Sequence, residues 1–137
     1  AQSPLILRTD FSNYAVWKQI CRILVQPTLE GYDDPMTYVN DREYEGISIA
    51  QVFSIIPAAE RSELVYIFIV DATTIAKPKH PLLLLDMIGD PGYVKPGRYT
   101  RIDLEWVRDV AMQFSIGNMD IDDFLPDDFD HEAYEEE

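Results

Sequence analysis

The alternation of apolar and polar positions divides the chain into short strands and amphipathic helices. Continuous apolar runs of strand length occur at residues 5–7, 64–70 and 82–85, and less apolar candidate strands occur at residues 37–39 and 98–102. Unbroken apolar runs of this length are typical of strands that are buried on both faces of a sheet. The pattern therefore predicts five strands, with the run at residues 64–70 in the centre of the sheet.

Apolar residues at helical spacing predict helices between these strands. The first helix follows the first strand, and either Asp10 or Ser12 is expected to be its N-cap. The second begins at Ser48, because Gln51 three residues later completes a capping-box pattern. A third helix begins after Asp103, and a short fourth helix is expected to follow it in the sequence and to end at Phe124.

The order of these elements predicts one mixed α/β domain. Two right-handed βαβ units place the first three strands in parallel, in the order 2-1-3. Residues 71–81 contain Pro78 and Pro81 and are too few for a full crossover helix, so the later strands are expected to extend the sheet in antiparallel fashion. We therefore expect helices packed over a mixed sheet in residues 1–125, followed by an acidic tail at residues 126–137.

The charge of the chain is concentrated near its C-terminal end. The sequence has 25 acidic and 11 basic residues, a formal net charge of −14. Residues 120–137 hold ten of the acids and no Lys or Arg, which leaves 15 acids against 11 bases, or −4, for the remainder. Aromatic and aliphatic side chains are interleaved with these acids, so the segment combines a negative field with groups that can dock on a surface.

Length and composition limit the possible classes of protein. A chain of 137 residues with 47% hydrophobic residues is the size and composition of one globular domain. Cys21 is the single cysteine, which excludes an intramolecular disulfide framework and is typical of a reducing compartment. No apolar run reaches membrane-spanning length and no signal-peptide pattern is visible, so we expect a cytoplasmic protein. The negative charge argues against direct nucleic-acid binding.

Three aspartates follow predicted strands and form one candidate site. Asp10, Asp41 and Asp71 come after the first, second and third strands, whose carboxyl ends share one edge of the sheet. Carboxylates grouped there could hold Mg²⁺ for phosphoryl chemistry. An Asp after a strand is more often a turn or capping residue, and we favour that interpretation. We accordingly predict no metal and no cofactor. Asp86, after the fourth strand, is expected at the opposite edge.

Arg8 next to Asp10 suggests two further alternatives. An arginine at a strand-to-helix junction can bind an anion together with the helix N-terminus, or it can form an internal ion pair with the neighbouring aspartate. We favour the internal pair, because no Gly-rich loop accompanies it. Support for nucleophilic catalysis is weak, since Cys21 falls on an apolar helix face and only His80 and His131 are available as imidazole bases.

Several segments together resemble a known family. They are LILRTDFS at residues 5–12, VNDREYEGISI at 39–49, IFIVD at 67–71, PLLLLD at 81–86 and FSIGNMDIDDF at 114–124. The chain resembles an uncharacterised family of small bacterial and fungal proteins that is grouped only as a domain of unknown function. The resemblance implies a single cytoplasmic domain and supplies no reaction. Gln113, Gly117 and Ile121 differ from the usual residues of the family at the last segment.

Two functions from different classes remain open, beside a third possibility that the acidic tail only keeps the domain in solution. The first is a non-enzymatic binding protein, of inhibitor or immunity type, that uses an acidic surface against a basic protein partner. The residues expected to contact this partner are Asp122, Asp123, Phe124, Asp127, Asp128, Phe129 and Tyr134. The alternative is a small enzyme or ligand-binding protein whose site lies at the strand ends. That site would contain Arg8, Asp10, Asp41 and Asp71.

Overall fold

The structure of the chain is a computed structural model. It describes residues 4–28, 31, 35–56, 64–89, 96–117 and 119–125.

The five predicted strands form one mixed sheet. They are β1 (Leu5–Arg8), β2 (Thr37–Val39), β3 (Tyr66–Val70), β4 (Leu82–Asp86) and β5 (Tyr99–Ile102). The strand order is β2-β1-β3-β4-β5. β1 pairs in parallel with β2 and β3, whereas β4 pairs in antiparallel fashion with both β3 and β5. The predicted fold class, the order 2-1-3 and the antiparallel extension are confirmed.

Four α-helices and two 3₁₀ turns occur among the described residues. The helices are α1 (Tyr14–Leu24), α2 (Ile49–Ile55), α3 (Ala72–Ala76) and α4 (Leu104–Ser115), and the 3₁₀ turns are Arg42–Tyr44 and Ile121–Asp123. The short α3 occupies the connection between β3 and β4, and it is one turn rather than a crossover helix. The chain therefore reverses direction at this point, and β4 runs antiparallel to β3.

One face of the sheet is covered by α1 and α4, which contact each other. Ile6, Phe68 and Leu84 from the three central strands are fully buried there. Trp17 and Val107 from the two helices pack against them. Because β1, β3 and β4 each place alternate residues on this face, the apolar runs supply both sides of the sheet at once.

The opposite face of the sheet is covered by α2. Its core contains Leu7, Ile67, Ile69 and Leu85 from the central strands and Val52 from the helix. α2 has only seven residues. This face is therefore covered by a much shorter helix than the first, and a cavity lies beside the helix.

The first helix begins at a different residue from the one expected. Its N-cap is Asn13, whose side chain accepts a hydrogen bond from the backbone N–H of Val16. The prediction of Asp10 or Ser12 as the cap is therefore wrong. The capping box predicted at Ser48 and Gln51 is present, with both of its reciprocal hydrogen bonds.

No helix in the described part of the chain is both long enough and apolar enough to cross a lipid bilayer.

Candidate functional site

The parallel strands β1 and β3 end side by side, at Arg8 and Val70, and the chain leaves the sheet after each of these residues. Thr9, directly after β1, donates from its backbone N–H to the carbonyl of Val70 at 2.9 Å. Its hydroxyl donates to the same carbonyl at 3.3 Å. Asp71 follows Val70, so Thr9 and Asp71 are held next to each other at the sheet edge where ligands of open α/β sheets usually bind.

A cavity of about 270 Å³ lies at this junction, on the face of the sheet that α2 covers. It is lined by residues of β3, β4 and β5, by the residues directly after β1 and β3, and by the start of α2: Thr9, Ile47, Ser48, Ile49, Ile69, Asp71, Leu83, Tyr99 and Arg101. Four of these side chains are apolar, and the other five carry a hydroxyl or a charge. The cavity therefore combines an apolar interior with several groups that can form hydrogen bonds.

An ion pair forms one wall of the cavity. The two terminal nitrogens of the Arg101 guanidinium, Nη1 and Nη2, donate to the two carboxylate oxygens of Asp71, each at 2.7 Å. Asp71 is also the N-cap of α3, where it accepts from the backbone N–H of Thr74 at 3.1 Å. Burial alone would raise the pKa of Asp71, but the hydrogen bonds from Arg101 and Thr74 outweigh it, and the pKa is lowered. Asp71 is therefore a fixed anion with a bidentate partner.

The other two strand-end aspartates close turns on their own backbone. The carboxylate of Asp10 accepts from the backbone N–H of Ser12 at 2.9 Å. That of Asp41 accepts from the backbone N–H of Glu43 at 3.0 Å. The lining of the cavity includes Asp71 and excludes Asp10 and Asp41. In the described ranges, no three His, Cys, Asp or Glu side chains are grouped so that they could hold a metal ion.

Arg8 lies on the other face of the sheet and joins the loops that follow β1 and β2. The residue is only 4% exposed. It donates to the backbone carbonyl of Asp10 at 3.2 Å and to the side-chain oxygen of Asn40 at 3.0 Å. Its guanidinium carbon lies 4.2 Å from the ring centre of Phe11 and 4.9 Å from that of Trp17. The contact with Asp10 is thus made to the backbone, whereas the expected internal pair used its carboxylate.

The surroundings of Arg8 also change its pKa. Burial lowers it, and the nearby charge of Arg42 lowers it further. Stacking on aromatic faces and hydrogen bonds to neutral oxygens are favourable for a guanidinium that is removed from water. Arg8 therefore links the loop after β1 to the loop after β2 by hydrogen bonds. It does not line the cavity.

A second ion-pair network lies at the opposite end of β4. Arg98 donates from Nε to the carboxylate of Asp86 at 3.0 Å, and from a terminal nitrogen to the carboxylate of Asp122. The remaining oxygen of Asp86 accepts from the backbone N–H groups of Ile88 and Gly89. Burial alone would lower the pKa of Arg98, but the hydrogen bond and charge of Asp86, together with Asp122, raise it. This network ties the start of the acidic segment to the sheet.

The residues expected to contact a partner occupy different environments. Phe124 packs on Phe114, with 5.8 Å between the ring centres, and its carbonyl accepts from the hydroxyl of Thr100. Asp122 keeps 59% of its side chain exposed beside Arg98. Asp123 is exposed and accepts from the backbone N–H of Asp120. The other four, Asp127, Asp128, Phe129 and Tyr134, lie outside the described residues, as does the whole predicted tail.

Sequence reasoning missed the two arginines that organise both networks. Arg98 and Arg101 stand in or next to β5, a four-residue strand at the edge of the sheet. Their partners Asp86 and Asp71 are 12 and 30 residues away in sequence. The available signal was a pair of cations three residues apart on a strand expected next to β4. Only the β4–β5 register shows which acid each one reaches.

The fold and site define an α/β domain with a mixed five-stranded sheet and a small cavity between β1 and β3, where the strand order reverses. The sequence matches the family described as a domain of unknown function, DUF6924, over residues 3–136, and the chain belongs to this family. No curated protein matches the chain. The resemblance to an uncharacterised family is therefore confirmed.

Proposed function

We propose that this protein is a non-enzymatic binding protein that uses its acidic C-terminal segment, residues 120–137, against a basic protein partner in the cytoplasm. The segment carries ten acids and no Lys or Arg. Opposite charge on a partner speeds encounter and selects among competing surfaces. Inhibitor-type and immunity-type proteins use acidic surfaces in this way.

The observation that carries the proposal is the attachment of this segment to the domain. Ile121 is buried in the core, and Asp122 pairs with Arg98, which in turn pairs with the buried Asp86. The 3₁₀ turn at Ile121–Asp123 is also closed by its own capping box. The acid-rich sequence therefore starts from a fixed position, and a fixed origin lowers the entropy that a partner must remove on binding.

The strand-end carboxylates support a binding function more than a catalytic one. Asp10 and Asp41 accept hydrogen bonds from their own turns, and Asp71 is paired with Arg101. A general base or metal ligand needs lone pairs that face its substrate or metal, whereas one oxygen of Asp10, one of Asp41 and both of Asp71 accept hydrogen bonds from the backbone or from Arg101. The acids of residues 120–137 remain as the main source of unbalanced charge.

Removal of residues 127–137 tests this proposal. This stretch holds seven acids, no bases and two large aromatic residues, a composition that cannot bury enough surface to form a core of its own. We expect truncation to leave the melting temperature nearly unchanged and to weaken capture of a Lys/Arg-rich peptide and of basic proteins in native extract. Raising the salt from 0.1 to 1 M should imitate the truncation, because the screening length falls from about 10 to about 3 Å.

A matched control separates charge from length. In this variant the seven acids become Asn or Gln, while Phe129 and Tyr134 are kept. If charge is the cause, this variant should lose the basic partner as completely as the truncated protein does. Equal capture by full-length and truncated protein would contradict the proposal. Unfolding of the truncated protein would show instead that the segment is a structural element.

A further inference from the structure

We infer that the cavity at the β1–β3 junction binds a small, uncharged molecule with an apolar body and one hydrogen-bonding head group. The inference goes beyond the proposed function, because it involves neither the acidic segment nor a protein partner. It also differs from the strand-end site predicted from the sequence, with which it shares Asp71 alone.

The position of the cavity follows from the topology. α1 follows β1 and packs on one face of the sheet, whereas α2 precedes β3 and packs on the other. The chain therefore leaves β1 and approaches β3 on opposite faces of the sheet, and the strand order reverses between these two strands. This reversal creates a crevice at the carboxyl ends of the strands, which is the general position of ligand sites in open α/β sheets.

The interior of the cavity fits an apolar body. Ile69 and Leu83 line it from neighbouring strands, and Ile47 and Ile49 line it from either side of the α2 cap. Its volume of about 270 Å³ is just below the roughly 300–1,000 Å³ of sites for drug-sized ligands. The ligand is therefore of fragment size, such as a single ring with one substituent.

The polar lining fits one head group that both donates and accepts. The hydroxyl of Ser48 accepts from the backbone N–H of Gln51 at 3.2 Å, and its own proton can be donated to a ligand. Arg101 presents further N–H donors, and the hydroxyl of Tyr99 can act in either role. A carboxamide or a similar neutral group satisfies this mixture.

The charge balance of the lining selects against ions. Asp71 and Arg101 are the charged residues that line the cavity, and their bidentate pairing cancels their charges locally. An anion would have to compete with Asp71 for Arg101 and would enter a protein of net charge −14. A cation would have to displace Arg101 from Asp71. A neutral ligand leaves the pair intact and pays neither cost.

Three probes of similar size test this inference: benzamide, benzoate and benzylammonium. Each is titrated into the full-length ¹⁵N-labelled protein, and amide chemical shifts are followed. We expect benzamide to shift the amides of the cavity lining, including Ser48 and Arg101, in a saturable manner. The two charged probes should bind at least about threefold more weakly, a difference of about 0.7 kcal/mol.

Cavity-filling variants provide the structural control. Ile49→Trp and Ile47→Trp each place a large ring at a half-buried position of the lining, and either should weaken benzamide binding about tenfold or more. Ala50→Trp adds the same ring at an exposed neighbouring position outside the lining and should leave binding unchanged. Two filling positions keep the test decisive if one variant does not fold.

Three outcomes would overturn the inference. The first is benzamide binding that persists in both filling variants, or shifts confined to residues away from the cavity. The second is tighter binding of benzoate than of benzamide, which would make Arg101 an anion receptor. The third is no saturable shift with any probe, which would show that the cavity is only a packing defect. None of these outcomes bears on capture of a basic partner, so the two proposals fail independently.

Discussion

Arg98 and Asp86 form an ion pair across the β4–β5 hairpin, with 3.0 Å between the guanidinium Nε and the carboxylate and with both side chains only 4% exposed. Folding removes both charged side chains from water, and each stays charged because the other neutralises it and forms a hydrogen bond with it. Removal of one partner leaves the other buried and uncompensated, which costs far more than the pair contributes when intact.

The first prediction concerns this pair. Arg98→Met should lower the free energy of unfolding by about 3–5 kcal/mol, because the carboxylate of Asp86 stays buried without its counter-ion. Urea denaturation at pH 7 measures the change. The control is Lys79→Met, since Lys79 is 75% exposed and lies 4.0 Å from Asp103, and its loss should change stability by about 0.5 kcal/mol or less. A loss below about 1 kcal/mol in Arg98→Met would contradict the buried pairing.

The second prediction concerns pH. Folding lowers the pKa of Asp71 below its usual value of 3.8. The stability that this shift contributes is present above the pKa of an unfolded Asp, about 3.9, and is lost as the pH falls through the lower folded value. Asp71→Asn should therefore destabilise the protein by about 1–3 kcal/mol at pH 7, and the difference from wild type should shrink below about pH 4.

Urea denaturation at several pH values between 7 and 3 measures this difference. Asp41→Asn is the matched control, because Asp41 is an exposed carboxylate that closes a turn. Its effect should be smaller at pH 7 than that of Asp71→Asn. A constant difference between wild type and Asp71→Asn across the whole range would show that the ion pair with Arg101 does not set the acid sensitivity at this residue.

The third prediction concerns the centre of the sheet. Phe68 is fully buried in β3, between β1 and β4. Phe68→Ala should cost about 3–5 kcal/mol, because it leaves a cavity between the sheet and the helices α1 and α4. Trp106→Ala, at a side chain that is 57% exposed, should cost about 1 kcal/mol or less. Equal losses of unfolding free energy for the two substitutions in denaturation experiments would contradict the burial of Phe68 in the core.

The fourth prediction concerns metal ions. Millimolar Mg²⁺ or Mn²⁺ should not raise the melting temperature, because Asp10 and Asp41 accept hydrogen bonds from their own turns and Asp71 is paired with Arg101. A specific site would stabilise the folded state by mass action. A rise with Mg²⁺ that disappears in Asp10→Asn would refute this prediction and favour an enzymatic function.

The strand order and the position of the central strand were predictable, because they follow from rules that act on whole elements. The helical connections at the first three strands allow parallel pairing, in the order 2-1-3 with right-handed crossovers, and the short, proline-containing connection at residues 71–81 favours the antiparallel turn. The capping box at Ser48 was predictable for a different reason. Both of its partners, Ser48 and Gln51, lie within one helical turn of each other.

Other features depend on competition between equivalent local choices or on contacts distant in sequence. Asp10, Ser12 and Asn13 can all cap a helix, and the choice of Asn13 depends on the path of the chain after β1. The pairing of Arg101 with Asp71 depends on the register of the β4–β5 hairpin. Composition and spacing do not contain that register, so the cavity wall was not predictable.

The position of β1 between β2 and β3 has a consequence for synthesis of the protein. Ile6 pairs with Tyr38 on one side and with Phe68 on the other, so β1 emerges from the ribosome long before its second neighbour, β3. At translation rates of about 5–20 residues per second, roughly 3–12 s separate these two strands. During that interval an apolar strand has at least one open edge. An edge of β1 thus stays open to aggregation until β3 emerges, and slower translation in that stretch would lengthen this interval.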